Sequence, residues 1–436
     1  MSTLQIALVL LAFLACFLAA GVWVALALGI VAFVGLALFT NTPPGINLFQ
    51  TFWGSSASWT LAALPLFIWM GEILFRTRLS EEMFKGLAPW LNWLPGRLMH
   101  TNVIACGIFG SVSGSSSATC ATIAKVALPE LERRGYDQRV AIGSLACAAT
   151  LGILIPPSII MVVYAVAAEV SIIRIFLAGI IPGFLVMALL SGYIIVWALL
   201  NPQLQPPPEP RTTFVEKLRA ARNLIPCALL IVLVIWVMIA GFATATEAAA
   251  YGVLGALALA AWSKSLSWAN FGASLMGATR LSCMIMFILA GASFLTVTMG
   301  FTGIPRALAE SVAALGLSPY ALIAILAVIY VLLGTALDGI SMIVLTTSIV
   351  IPMIQRAGFD PVWFGIFIVL LVEIAELTPP VGFNLFVLQN MTGRDSFYVA
   401  RAAIPFFMML VATIVLVTVF PQIVTFLPDY VMGAPK

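Results

Sequence analysis

The chain has 436 residues, 62% of them hydrophobic and only 8% charged, and its formal net charge is +3. A soluble domain carries about 25% charged residues, so a chain this poor in charge cannot coat itself against water. Apolar runs of about 20 residues recur along its length, as bilayer-spanning helices require, and the composition excludes a soluble globular protein in favour of an all-α polytopic membrane protein.

In chain order, the first apolar run is Leu4–Leu18. No Lys or Arg precedes Arg76, so this run lacks the basic start of a cleavable signal peptide and reads as a retained membrane segment. Crossings follow near 22–40 and 60–76, separated by an uncharged loop, Asn41–Ser58. The stretch LSEEMFKGLAPWLNWL, Leu79–Leu94, mixes charges with Trp90 and Trp93 and reads as an interfacial helix.

Arg97 and Arg133 then bracket a long apolar stretch interrupted by GSVSGSSSATC, Gly110–Cys120. One helix over that span would be about 54 Å long at ~1.5 Å per residue, against a hydrocarbon core of about 30 Å. Two half-helices joined at Gly114–Ser117 fit better, so residues 97–133 are expected to form a re-entrant hairpin. Crossings near 139–168 and 172–200 complete a first unit, 1–200. A proline- and charge-rich break, Asn201–Asn223, reads as a cytoplasmic linker.

The second unit, 224–436, repeats the first. LPELERRGYD ends at Asp137 and IPMIQRAGFD at Asp360. Pro129 and Pro352, Gly135 and Gly358, and the pairs Pro156-Pro157 and Pro379-Pro380 keep one shift of 223 (352 − 129). Crossings are expected near 224–241, 245–263 and 278–300, with SLSWANFGASLM, Ser265–Met276, interfacial. A second hairpin over 319–356 follows, with Asp338-Gly339 at its tip, and then crossings near 361–391 and 402–426. Five crossings per unit is an odd number, so the second unit must be inverted relative to the first. Arg76, Arg78, Lys85, Arg133, Arg134, Arg139, Arg211, Lys217, Arg219 and Arg222 fall on one side, which the positive-inside rule makes cytoplasmic. The expected architecture is thus an inverted-topology repeat with two re-entrant helical hairpins and two Pro-Pro-broken helices.

Non-helical backbone survives at membrane depth only where protein or a watery cavity satisfies it. Two tips and two Pro-Pro breaks make four such places. Proline frees carbonyl oxygens, which suit a hard cation such as Na⁺, and each tip presents a helix N-terminus, which suits a carboxylate. Ser113, Ser115 and Ser116 offer hydroxyls at tip one, although Gly107, Ser111, Ser115 and Thr119 also form a small-residue packing stripe. Asp338 either binds a cation or caps its helix. Ser158, Thr378, Gly382 and Asn384 stand beside the breaks, Asn384 open between bonding substrate and packing between helices. A substrate carboxylate is expected at Ser115, Ser116, Ser158 and Asn384. Glu373 and Glu376 precede the second break with partners the sequence does not reveal. Glu72, Glu169 and Glu247 sit near helix ends, where scaffold pairing is expected.

The six cysteines lack metal-ligand spacing and read as small buried hydrophobes. His100 is the only histidine and is placed outside the apolar core, so histidine-based hydrolysis at GSVSG has no base. No enzyme activity, organic cofactor or nucleic-acid partner is expected.

GSVSGSSSATCATIAKVALPELERRGYD, TLGILIPPSIIMVVYA and ELTPPVGFNLFVLQNMTG together resemble the large membrane subunit of tripartite ATP-independent periplasmic (TRAP) transporters, over about residues 5–425. The resemblance implies a Na⁺-coupled importer of small organic acids in a bacterial or archaeal inner membrane. It also implies a periplasmic substrate-binding protein, a separate small four-helix membrane subunit, and an elevator in which hairpins and broken helices slide against a scaffold. It places Ser113, Ser115, Gly152 and Pro156 around one Na⁺, and Asp338, Gly339, Thr378 and Gly382 beside another. The rival is a two-component Na⁺/anion symporter that needs no binding protein.

Overall fold

The computed structural model describes residues 2–77, 86–206, 213–314, 316–335, 337–379 and 382–433. Every regular element among them is helical. Five helices are long and apolar enough to cross a bilayer, and bent pairs raise that to as many as eight.

The Met99–Ser113 helix ends at Gly114, whose φ of +61° supplies the left-handed turn that glycine adopts without strain. A new helix, Ser116–Arg133, starts immediately with Ser115 as its N-cap. The Leu98 N–H donates to the Tyr136 hydroxyl at 3.2 Å, so the two ends of the excursion meet and the chain has turned back on itself. The turn is tighter than the sequence implied: Ser116 and Ser117 belong to the second arm.

Pro319–Gly334 and Gly339–Arg356 form the second hairpin. The Tyr330 and Thr346 hydroxyls share a 2.5 Å hydrogen bond between its arms, and Tyr320 lies edge-on to Phe359 at its base. Ser116–Arg133 and Gly339–Arg356 are both 18 residues long, lie 223 apart (339 − 116), and each tolerates one internal proline, Pro129 or Pro352.

The first broken helix runs Gln138–Ala148, Leu151–Leu154, then Ile159–Ala167, bent by 45° at the prolines. The second is Pro361–Ala375 followed by Phe383–Thr392; Pro380 lies outside the described residues. Asp137 and Asp360 cap the two starts, each accepting from backbone N–H groups of the first turn. The Tyr164 hydroxyl near the end of the first donates to Pro361 O at the start of the second, at 2.5 Å. Asn384, in the second half of the second helix, reaches Ala146 O, in the first half of the first, at 3.1 Å. The broken helices are therefore antiparallel. Each hairpin base precedes the start of its broken helix, so the hairpins enter from opposite ends.

The remaining helices wrap this pair. Ile172–Leu200 and Ser396–Val419 flank the broken helices, the latter followed by Gln422–Met432. Trp363 Nε1 donates to Val417 O at 2.9 Å, tying the second broken helix to it. Thr3–Ala19, Val24–Phe39, Ala63–Phe75, Ile225–Ile239, Ala245–Trp262 and Trp268–Thr302 are the longer helices among the rest.

Several expectations change. Asn41–Ser58 is not a loop: Pro44–Ser56 is helical, with proline at its first position, and joins the Trp59–Phe75 segment at 53°. Ser265–Met276 is not a separate surface helix, because no proline interrupts the 35-residue helix Trp268–Thr302; Trp268 is nonetheless exposed. Ile304–Ala314 adds a short helix before hairpin two. The linker contains a helix, Phe214–Ala220, started by a Thr213–Glu216 capping box. Leu79–Leu94 falls partly outside the described residues, with 86–91 helical. Four cysteines are buried but Cys16 and Cys283 are exposed. His100 is fully buried at the foot of hairpin one, 2.7 Å from Pro95 O: the neighbouring chain folds over it, which flanking polarity could not reveal. Glu72 pairs with Arg76 at 3.1 Å, and Glu247 accepts from Thr244 N in a capping box, as scaffold carboxylates do.

Close backbone approach holds these layers together. A Cβ on Gly143 would stand 2.1 Å from the Ala402 carbonyl oxygen. Gly143→Ala should therefore lower stability by about 1–3 kcal/mol, read as a fall in the thermal transition of the detergent-solubilised protein.

Candidate functional site

At tip one, the Ser113 and Thr119 hydroxyls share a 2.6 Å hydrogen bond, and Thr119 Oγ1 also donates to Ser115 O at 2.8 Å. Ser115 Oγ accepts from Ala118 N at 3.4 Å. These bonds tie the turn to itself. The tip is also wedged against the first break. A Cβ on Gly114 would stand 2.7 Å from Ile159 side-chain atoms, and one on Gly110 would stand 2.4 Å from Gly152 Cα. Hairpin one and the first broken helix thus touch backbone to backbone, with the tip that carries Ser113 and Ser115 set against Gly152 and Ile159, residues on either side of Pro156. Gly107 faces Met187 and Ile155, so the small-residue stripe packs as well.

In the first break, Ser158 is buried. Its hydroxyl donates to Ile153 O at 2.6 Å and accepts from Met161 N at 3.4 Å. One side chain therefore satisfies both lips of the interruption.

At tip two, Asp338 is the N-cap. Its Oδ2 accepts from Ser341 N at 3.2 Å and its Oδ1 from Ser341 Oγ at 2.5 Å. Gly339 sits between Val372 and Ile160, and a Cβ on Gly334 would collide with Ala375. Tip two therefore rests on both broken helices. In the second break, Thr378 Oγ1 donates to Ile374 O at 2.7 Å, and Thr378 O accepts from Gly382 N at 3.2 Å. Gly382 has φ +22°, a strained value for any other residue. Asp338 and Gly339 thus lie at tip two, and Thr378 and Gly382 in the break of the second broken helix, against which the tip rests.

Asn384 links the halves. Its Nδ2 donates to Ser116 Oγ at 2.7 Å and to Ala146 O at 3.1 Å, and both Asn384 and Ser116 are buried. Ser116 also lies within hydrogen-bonding range of the Glu376 carboxylate. Tip one therefore reaches the second break.

Sequence reasoning left Glu373 and Glu376 unassigned, and they prove central. Glu373 is fully buried with neither carboxylate oxygen hydrogen-bonded, and Glu376 Oε2 is likewise buried and unpartnered. Among the described residues, no ion pair reaches Asp338, Glu373 or Glu376; the cationic side chains in ion pairs are bonded elsewhere. Buried carboxylates without a countercharge are costly, which sets Glu373 and the buried oxygen of Glu376 apart from the exposed Asp338. Each acid was visible in the sequence, but its isolation from every base was not.

Compared with known proteins, residues 11–423 match the model of the family described as tripartite ATP-independent periplasmic transporter, DctM component. A C4-dicarboxylate TRAP transporter large permease protein of Pseudomonas aeruginosa is 33% identical over 386 residues, covering 88% of this chain and 89% of its own. An ectoine/5-hydroxyectoine TRAP transporter large permease protein of Ruegeria pomeroyi is 31% identical, covering 91% and 93%. The solved structure of the YdaH transporter of Alcanivorax borkumensis shares the fold, with a TM-score of 0.67 at 13% identity over 94% of this chain and 98% of its own.

The bridge at Asn384 is open to measurement. Asn384→Ala leaves Ser116 Oγ and Ala146 O short of a donor and should cost about 1–3 kcal/mol, seen as reduced thermal stability. A double-mutant cycle with Ser116→Ala should return a coupling of about 0.5–3 kcal/mol; additivity would mean the bond is energetically idle.

Proposed function

The chain belongs to the DctM component family of tripartite ATP-independent periplasmic transporters, and from that premise we propose that it is the Na⁺-coupled importer of a small organic anion. It lies in the inner membrane of a bacterium or archaeon and works with a separate small four-helix membrane subunit. A periplasmic binding protein delivers the substrate. The observation that carries the coupling is the set of acids at the centre, Asp338, Glu373 and Glu376, which have no basic partner among the described residues.

One Na⁺ is held at the junction of tip one and the first break, by Ser113, Ser115, Gly152 and Pro156. The close approach of Gly110 to Gly152 favours this placement, because it brings those backbone segments together. A second Na⁺ is held by Asp338, Gly339, Thr378 and Gly382, where tip two rests on the second broken helix. The substrate carboxylate lies against Ser115, Ser116, Ser158 and Asn384. The Asn384–Ser116 bond fits a site shared by both halves of the repeat.

Hairpins and broken helices travel as one body against the scaffold, an elevator movement. Each net charge carried inward gains roughly 2.3 kcal/mol per 100 mV; two Na⁺ with a monoanion carry one, and a dianion such as a C4-dicarboxylate needs a third Na⁺ for the same gain.

Among relatives named for their cargo, C4-dicarboxylates, ectoine and isethionate occur, and a C4-dicarboxylate is the first substrate to test. Uptake of radiolabelled succinate into proteoliposomes should require an inward Na⁺ gradient, the small subunit and the cognate binding protein; full uptake with neither gradient nor binding protein would overturn the reading. Asp338→Asn should lower the Na⁺ dependence of uptake more than it lowers the yield of folded protein, and a variant with unchanged Na⁺ dependence would remove Asp338 from the ion site.

A further inference from the structure

The 35-residue helix Trp268–Thr302 carries a single charged residue, Arg280. An ionisable side chain in such a helix is normally functional and calls for a partner. Among the described residues Arg280 makes no ion pair and no side-chain hydrogen bond, and it is exposed. Glu72, which abuts Gly277 one turn earlier, is already bonded to Arg76 at 3.1 Å.

Arg280 instead lines a cavity of about 750 Å³ that Asp338 and Ser341 of tip two also line. Cys283, Phe287 and Trp23 supply part of the remaining, largely apolar surface. Small-ligand sites have this composition, an apolar lining with a few convergent polar groups. The two charges share the cavity without forming an ion pair, and each oxygen of Asp338 accepts one hydrogen bond from Ser341, which leaves lone pairs open to a cation. With a Na⁺ neutralising Asp338, the charge left facing the cavity is the guanidinium. Its planar fork fits a carboxylate with two parallel hydrogen bonds.

We propose that Arg280 is the anion-binding residue of this cavity, receiving the carboxylate of a small organic acid as it passes between tip two and the Trp268–Thr302 helix. The proposal rests on reading the protein as an importer of small organic anions, and it adds a substrate contact outside the hairpins and breaks.

Cys283, one turn from Arg280 and lining the same cavity, is a built-in reporter. In the full-length chain with its small subunit, reconstituted after Cys16→Ser, Cys283 is the one exposed cysteine. Its reaction is followed with two methanethiosulfonates, one bearing a sulfonate and one a trimethylammonium group. Arg280→Gln should lower the ratio of anionic to cationic labelling rates by roughly tenfold, the effect of one unpaired charge at short range, and Arg280→Lys should keep most of the ratio. Millimolar succinate should slow the anionic reagent in the parent and not in Arg280→Gln.

An unreactive Cys283, an unchanged ratio, no succinate protection in the parent, or equal protection in parent and Arg280→Gln would each overturn the proposal. Succinate uptake separates the two readings: loss of Na⁺ dependence in the parent would sink the coupling, while the labelling ratio continues to decide Arg280. Where both hold, Arg280→Gln raises the half-saturating succinate concentration and leaves Na⁺ dependence in place.

Discussion

A helix that stops inside an apolar slab leaves backbone donors and acceptors that water cannot reach, and everything at the centre of this protein follows from how those groups are satisfied. The solution is local and economical. Ser115, Ser158 and Asp338 each cap the helix that follows, and Ser158 also bonds the carbonyl of the segment that precedes. Thr378 and Gly382 close the last interruption through backbone and hydroxyl contacts. Once the breaks are paid for in this way, their remaining groups are free to meet a ligand.

The repeat makes the four breaks equivalent in position but not in chemistry. Ser115 and Asp338 occupy matching N-cap positions 223 residues apart, one neutral and the other a carboxylate. The second half also holds Glu373 and Glu376, whose counterparts by the same shift are Thr150 and Ile153. Inverted architecture thus supplies two similar cradles, while the acidic charge is concentrated in one. The antiparallel broken helices, pinned by Tyr164 to Pro361 at one end and by Asn384 to Ala146 at the other, bring that charge next to the serine-rich turn of the first half.

Much of this was legible in the residues. The constant 223-residue register announced the repeat, and the span between Arg97 and Arg133 was too long for one helix in the membrane. The tip expected at Gly114–Ser117 falls at Gly114 itself, whose φ of +61° glycine adopts without strain. What stayed hidden depended on distant neighbours. His100 reads as surface beside arginine and asparagine, yet is buried by chain folded over it. The Trp268–Thr302 helix read as two pieces because tryptophan and serine imitate an interfacial segment, although no residue in it forces a break. The isolation of Glu373 and the cavity shared by Arg280 and Asp338 are properties of arrangement, so no local pattern could encode them.

One contact between the two layers bears on motion. Gly71, in the Ala63–Phe75 helix, faces the backbone of tip one so closely that a Cβ there would lie 2.5 Å from the Val112 carbonyl oxygen. The face that the Ala63–Phe75 helix turns to hairpin one is therefore bare at this contact, like a bearing race without burrs. Bulk at that spot would act as a catch, favouring one resting position over its alternative and slowing passage between them without touching any ligand.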